Sequence, residues 1–153
     1  MGNKLKVDIG IDPDSKAHGV AVYENKHLKR LVCLPAVGII AMRSSFQKSD
    51  AMRVTWHIEN VAKRNIVFPH KLMSDHMANM KVAHSIGRCA QSQLELENLI
   101  RYFWPEDKII LCKISKEWKN KEGKLQFERM TGWNKQSNED SRSAAYFGFW
   151  GSR

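Results

Sequence analysis

The sequence has few cysteines, and their spacing fits neither a metal site nor a disulfide framework. Its 153 residues include only Cys33, Cys89 and Cys112, with no CxxC pair and no nearby histidine pair at zinc spacing. An odd number of thiols in apolar stretches is typical of buried, reduced cysteines. A structural zinc domain and a disulfide-stapled mini-protein are therefore excluded.

Long hydrophobic runs are also missing. The longest one, Leu31 to Met42, falls short of the roughly 20 residues that span a bilayer, and Pro35 interrupts it. The segment Met1 to Lys6 has neither the apolar region of a signal peptide nor the hydroxyl residue of a myristoylation site. We therefore expect a cytoplasmic protein that does not enter a membrane.

Acidic residues are in the minority. Sixteen Asp and Glu stand against 25 Lys and Arg, which gives a formal charge of +9. This balance favours a polyanionic partner, nucleic acid first and an anionic membrane surface second. With 42% hydrophobic residues and no long linker or repeat, the chain is predicted to form one folded domain over residues 1–153.

Hydrophobic patterns predict five strands and three helical segments. The strands are predicted at residues 4–11, 18–23, 27–34, 54–59 and 108–114, and the helices at 44–50, 74–103 and 137–150. Three consecutive strands with short turns should form an antiparallel meander, whereas strands separated by helices should pair in parallel. The predicted fold is α/β, a mixed five-stranded sheet flanked by helices, which is the layout of the ribonuclease H-like fold.

Acidic residues stand where the predicted strands end. Asp12 closes the first strand before Pro13, and Glu59 closes the strand at residues 54–59. Glu139 and Asp140 begin the last helix. Because ligands of α/β sheets bind at the carboxyl ends of strands, these acids are expected to converge on one metal site. The alternatives are that Asp12 is a turn or cap residue and that Glu139 and Asp140 only favour the helix dipole.

Taken in order, these motifs resemble the RuvC family of Holliday junction resolvases, in its compact form from phages or mobile elements. Residues 10–15, Gly-Ile-Asp-Pro-Asp-Ser followed by Gly19, match the family's opening motif, and Ile58-Glu59 match its second. Trp118-Lys119 and the alanine-containing helix that starts near Asp140 match its last part. The resemblance covers nearly the whole chain. It implies that the protein works in the cytoplasm of a bacterial or phage-infected cell.

Two positions depart from the family pattern. Asp14 stands where the family has a glycine, and it could be either a turn residue or a further metal contact. The family's last helix carries two acids three residues apart, but here Ser143 stands three residues after Asp140. Asp140 can match the earlier or the later acid, and Glu139 is kept as the reserve ligand.

The resemblance implies a metal-dependent hydrolase that cuts four-way or otherwise branched DNA with paired nicks. Asp12, Glu59 and Asp140 would be catalytic and, with Glu139, would hold two Mg²⁺ ions, for which Mn²⁺ should substitute. Because a junction has two-fold symmetry, a homodimer is expected. Its predicted interface is an apolar stripe between Met77 and Phe103, which could instead belong to the core of one chain.

The predicted DNA-contacting segment is basic. Residues 113–135 contain seven Lys and Arg and three Glu, a net charge of +4. Lys119 and Lys124 resemble the family's functional lysines, and Trp118 is expected to stack on unpaired bases. The alternative is that both lysines are ordinary solvated residues.

Three other functions are alternatives. A catalytically inactive junction-binding or architectural protein would keep the fold and the charge. A ribonuclease H-type nuclease commonly places its Glu on a helix, whereas Ile58-Glu59 close a strand. An ATPase half of the actin or sugar-kinase type needs a second glycine-rich phosphate loop, and the sequence has none.

Overall fold

Five apolar strands form one sheet, and helices pack on both of its faces. The computed structural model describes residues 4–46, 51–63 and 76–153. The elements, in chain order, are β1 (Lys6–Asp12), β2 (His18–Glu24), β3 (His27–Leu34), α1 (Ala36–Ser44), β4 (Arg53–Glu59), a 3₁₀ turn (Val61–Lys63), α2 (His76–Phe103), β5 (Lys108–Cys112), α3 (Lys121–Thr131) and α4 (Glu139–Gly151).

The sheet confirms the predicted arrangement of strands. Its order is β3-β2-β1-β4-β5, with β1, β2 and β3 antiparallel and with β4 parallel to both β1 and β5. In the parallel pair, Ile11 lies opposite Ile58. The residues that follow them, Asp12 and Glu59, are therefore at the same edge of the sheet.

The β2–β3 hairpin has one of the short turns predicted between the first three strands. Asn25 and Lys26 have φ of 48° and 73°. Two consecutive positive φ angles are typical of a type I′ turn, whose twist matches that of the strands on either side. The Asn25 side chain also accepts a hydrogen bond from the Lys6 backbone N–H at 3.1 Å, which ties the turn to the start of β1.

One face of the sheet packs against α1 and α2. Its apolar side chains alternate along the strands with those of the other face, as the twofold period of a strand requires. The buried cluster on this face contains Val7, Ile9, Ile11, Val20, Val22, Ile39, Met42, Val54, Trp56, Ile58, Leu96 and Ile100. The long helix α2 thus contributes only the end of its apolar stripe to this core.

The other face packs closely against α4. A Cβ added at Gly10 would lie 1.9 Å from the Ala144 carbonyl oxygen, so only glycine allows the helix this close to β1. The buried Tyr23 hydroxyl donates a hydrogen bond to the Ala145 carbonyl at 2.8 Å. Burial raises the pKa of Tyr23 well above its usual range, so the hydroxyl stays protonated.

A buried polar pair lies under the end of α4. His57 Nε2 is 2.8 Å from Asp8 Oδ1, and both side chains are almost fully buried. Lys6 Nζ is 3.4 Å from Asp8 Oδ2 and donates a hydrogen bond to the Ser152 carbonyl at 3.1 Å. These contacts give His57 a structural role and join the C-terminal end of α4 to the sheet.

Three predictions about helices need correction or comment. Helix α1, which ends at Ser44, was not predicted. Of the helix predicted at 44–50, residues 45 and 46 form a turn and a bend, and residues 47–50 lie outside the described residues. Ser74 and Asp75, predicted to begin α2, are also outside them. Helix α3 lies in a stretch where the sequence predicted neither helix nor strand; Phe127 on it is buried, and its N-cap Asn120 accepts a hydrogen bond from Gly123 N–H at 2.7 Å.

Two expectations drawn from what the sequence lacks can be compared with the structure. The three cysteines are free, as expected, but each is half-buried rather than buried. Within the described ranges, none of the helices combines the length and the apolar character needed to cross a membrane.

Candidate active site

The predicted acids meet at the edge where β1 and β4 end. Asp12 and Glu59 are the last residues of these strands, and both are buried. Asp140 lies in the first turn of α4 and is half-buried. With Glu139, Asp14 and Lys119 these acids line one open pocket of about 550 Å³. The sequence prediction that they share one site is consistent with this arrangement.

Close packing places Asp140 over the end of β1. A Cβ added at Gly19 would lie 2.1 Å from the Asp140 carbonyl oxygen, so the helix start sits directly on β2. Asn138 caps the helix, and its side chain accepts a hydrogen bond from Ser141 N–H at 2.8 Å. The Ser141 hydroxyl in turn accepts one from Asn138 N–H at 3.0 Å, which completes a capping box.

Lys119 places its ammonium group within the acidic pocket. Its Nζ lies 3.1 Å from Oδ2 of Asp12, and 30% of the lysine side chain is exposed. This Asp12 oxygen is buried and accepts no well-aligned hydrogen bond. Burial tends to lower the pKa of Lys119, but Asp12, Glu59 and Asp140 outweigh it and raise the pKa above its usual value.

The carboxyl groups of the pocket disfavour one another's charge. Burial, reinforced by the charge of Asp12, raises the pKa of Glu59 from 4.5 to about 7. The Ser115 backbone N–H, which donates to Glu59 Oε1 at 3.1 Å, and the Lys119 ammonium partly oppose this shift. Burial and then the charge of Asp12 also raise the pKa of Asp140. The pocket therefore holds more negative charge than the chain neutralises.

This strain predicts that Glu59→Gln stabilises the metal-free protein above pH 7. Because the Glu59 pKa is higher in the folded chain than in the unfolded one, the folded chain binds more protons between pH 4.5 and about 7. The contribution of Glu59 to the free energy of unfolding therefore falls as pH rises through that window. We expect the variant to gain about 2 kcal/mol in unfolding free energy at pH 8.

Urea unfolding at pH 4 and pH 8 in a chelator measures this effect. The gain should shrink at pH 4, where Glu59 is protonated in both states. Equal stability of the variant and the wild type at pH 8 would show that Glu59 is not strained.

The donor chemistry of the pocket fits a divalent cation, although the side chains do not form a finished coordination site. Carboxylate oxygens are the ligands that Mg²⁺ and Mn²⁺ prefer. The pKa of Glu59 stays raised although the Lys119 ammonium lies in the same pocket, which is what a shortage of positive charge would produce. In the ranges described, however, no group of three or more His, Cys, Asp or Glu is gathered closely enough to hold a metal as it stands.

Asp14 has a structural role in the turn that follows Asp12. Its Oδ1 accepts a hydrogen bond from Lys16 N–H at 2.9 Å, and its own N–H donates to His18 Nδ1 at 3.2 Å. Burial lowers the pKa of His18, which favours the neutral ring that can accept this bond. Of the two possibilities left open for Asp14, this geometry supports the turn residue.

The structure corrects the role predicted for Trp118. Its side chain is only 1% exposed and packs against the rings of Phe127, Tyr146 and Phe149, with ring centroids 5.5 Å apart in each pair. A ring buried in this way cannot stack on a base, so the predicted stacking of Trp118 on unpaired bases is wrong. The apolar neighbours on α3 and α4 account for its burial.

Lys124 is not part of the acidic pocket. It is exposed on α3 and lies 3.7 Å from Glu128, one turn further along the helix. Its contact with DNA stays a prediction, and so does that of Lys119, which lies beside the acids.

Sequence reasoning missed the residue that fixes the Lys119 loop. Arg142, on α4 and buried, donates from Nε to the Trp118 carbonyl at 2.8 Å and from Nη2 to the Lys119 carbonyl at 2.6 Å. It stands two residues after Asp140, so one helix holds both an acid and the lysine loop. The sequence does show an arginine in the acid-bearing helix, which could have marked it as functional. Its partners, however, are backbone carbonyl oxygens, and no sequence motif reveals such contacts.

Comparison with known proteins adds no family assignment. No protein-family model matches the chain, and no curated protein is significantly similar to it. What bears on function is therefore the geometry of the pocket and the motif resemblance.

Proposed function

We propose that the protein is a metal-dependent endonuclease that resolves four-way or otherwise branched DNA. The observation that carries the proposal is one pocket, at the carboxyl edge of the sheet, that gathers Asp12, Glu59, Asp140 and Lys119. These are the positions that the resemblance to RuvC-like resolvases marks as functional. The strand order, with three antiparallel and two parallel strands, supports a ribonuclease H-like fold.

The carboxylates would bind the metal, and the rest of the pocket would hold the substrate. Two divalent ions would activate water and stabilise the leaving 3′ oxygen, which overcomes the repulsion between hydroxide and a phosphodiester. Lys119 would neutralise a non-bridging oxygen of the scissile phosphate. Ser115 N–H would keep Glu59 oriented towards Asp12 through its hydrogen bond to Oε1.

The DNA would be held by the basic segment beside the pocket. Lys116 and Lys119 line the pocket itself, and Lys113, Lys121, Lys124, Arg129 and Lys135 are exposed on the same stretch of chain. Phosphate neutralisation by such residues supplies affinity without sequence preference. We assign to this segment the backbone contacts that bring a branch point over the acids.

A homodimer would place two such pockets on the two strands to be cut. Helix α2 carries exposed apolar side chains that one chain does not bury, namely Met77, Met80, Val82, Leu94 and Phe103. Leu96 and Ile100 on the same helix belong to the core. The stripe predicted between Met77 and Phe103 is thus divided, and we propose its exposed part as the dimer interface.

The substrate class is tested with three labelled DNAs. Purified protein should cut a synthetic four-way junction in Mg²⁺ and leave a linear duplex and an RNA–DNA hybrid intact. Tight binding to the junction without cleavage in Mg²⁺ or Mn²⁺ would favour the inactive architectural protein. Cleavage of the RNA strand of the hybrid would favour the ribonuclease H-type nuclease.

A further inference from the structure

We propose that Lys119 is a built-in counter-ion of Asp12 that competes with a divalent cation for this carboxylate. This inference rests on the proposed function, since it concerns how the same acids acquire their metal. It assigns to the lysine a role in the metal-free protein in addition to its contact with phosphate.

The first observation is that the lysine ammonium lies where a metal would bind. Lys119 Nζ is 3.1 Å from Oδ2 of Asp12, a carboxylate whose side chain is only 6% exposed. Across the described part of the chain, no second ion pair reaches the carboxylates of Asp12, Glu59 or Asp140. The ammonium takes up one of the lone-pair directions of this oxygen, and its charge repels a divalent cation that approaches the same carboxylate.

The second observation is that the backbone which carries this lysine is fixed. Trp118 has φ of 64°, an uncommon conformation for a bulky residue, and its ring is buried. Arg142 holds the carbonyl groups of residues 118 and 119. A Cβ added at Gly123 would lie 2.5 Å from the Trp118 Cα, so α3 begins directly against the loop.

A fixed backbone restricts how the site can open. Because the loop is held from three sides, only the four-carbon stem of Lys119 can move when a metal enters. Lysine suits this role, since its ammonium is a point charge on a flexible stem. The ammonium should swing away from Asp12 while the carbonyl groups stay on Arg142.

Calorimetric titration of Mn²⁺ into the DNA-free protein tests the competition. Lys119→Met removes the charge and keeps the length of the side chain, so Mn²⁺ should bind at least tenfold more tightly, which corresponds to about 1.4 kcal/mol. Lys119→Arg keeps the charge and should bind no more tightly than the wild type. Lys124→Met removes a charge outside the pocket and controls for the overall loss of positive charge.

Thermal unfolding provides a second readout that needs no catalytic activity. The Lys119→Met protein should unfold at a lower temperature than the wild type in a chelator, and Mn²⁺ should raise its unfolding temperature by more. Equal Mn²⁺ affinity in wild type and Lys119→Met, with binding abolished by Asp12→Asn, would overturn the inference and leave the proposed metal site intact. No Mn²⁺ binding by any of the proteins would overturn both.

Discussion

Asp12→Asn should lower the rate of junction cleavage by about 10²- to 10³-fold or more, as loss of a central electrostatic contact does in other enzymes. Asp12 stands between the other groups of the pocket: it opposes the ionisation of Glu59 and Asp140 and pairs with Lys119. Without its charge the proposed metal site would lose its central ligand. Binding to the junction should stay equal or become tighter, because one negative charge facing the phosphate is removed. Single-turnover cleavage and gel-shift titration measure the two effects separately.

Matched controls lie in the same pocket. Asp14→Asn removes a charge of the same sign but keeps an oxygen for the Lys16 N–H, so cleavage should change little. Glu139→Gln should have a smaller effect than Asp140→Asn, because Glu139 is exposed and Asp140 half-buried. Wild-type cleavage by Asp12→Asn would refute the assignment, and a larger effect at Glu139 would mean that the reserve residue is the ligand.

Gly10→Ala should destabilise the fold by roughly 3 kcal/mol or more, the upper end for overpacked cores. The new Cβ would lie 1.9 Å from the Ala144 carbonyl oxygen and 2.8 Å from the Gly148 nitrogen. Both are backbone atoms, so no side-chain rotation relieves the collision and α4 must move off β1. A loss of this size is a large part of a total stability of about 5 to 15 kcal/mol.

Urea unfolding measures this loss, and Gly87→Ala is the matched control. Gly87 lies within α2, and a Cβ added there has no atom within 4 Å. Alanine at that position should stabilise the protein by about 0.5 to 1 kcal/mol through helix propensity. Cleavage by Gly10→Ala should also fall, since α4 carries Asp140. A Gly10→Ala protein as stable as the wild type would contradict the packing of α4 on β1.

The sequence predicted the strands well because strand pairing here follows local patterns. Short polar turns separate the first three strands, and β-branched residues mark the strand that ends at Glu59. Asp12 and Glu59 could be placed together because a parallel pair brings its carboxyl ends to one edge. Asp140 required the family motif as well, since its position depends on how closely α4 approaches β2.

What the sequence did not predict depends on contacts between distant segments. The role of Trp118 was misjudged because a tryptophan among lysines is typical of a nucleic-acid surface, whereas α3 and α4 bury this one. Helix α3 was missed because most of its residues are polar, and only Phe127 and Gly123 are buried on it. The pairing of Lys119 with Asp12 joins residues more than a hundred positions apart, and the Arg142 contacts end on carbonyl groups.

The most direct measurement of the central claim uses a supercoiled plasmid whose inverted repeat extrudes a cruciform. Paired cuts by a dimer with one active pocket per chain should convert it to linear DNA in Mg²⁺, without accumulation of nicked circles. Asp12→Asn should give no product, and a plasmid without the repeat should remain supercoiled. Intact plasmid in both Mg²⁺ and Mn²⁺, or equal nicking with and without the repeat, would contradict the account.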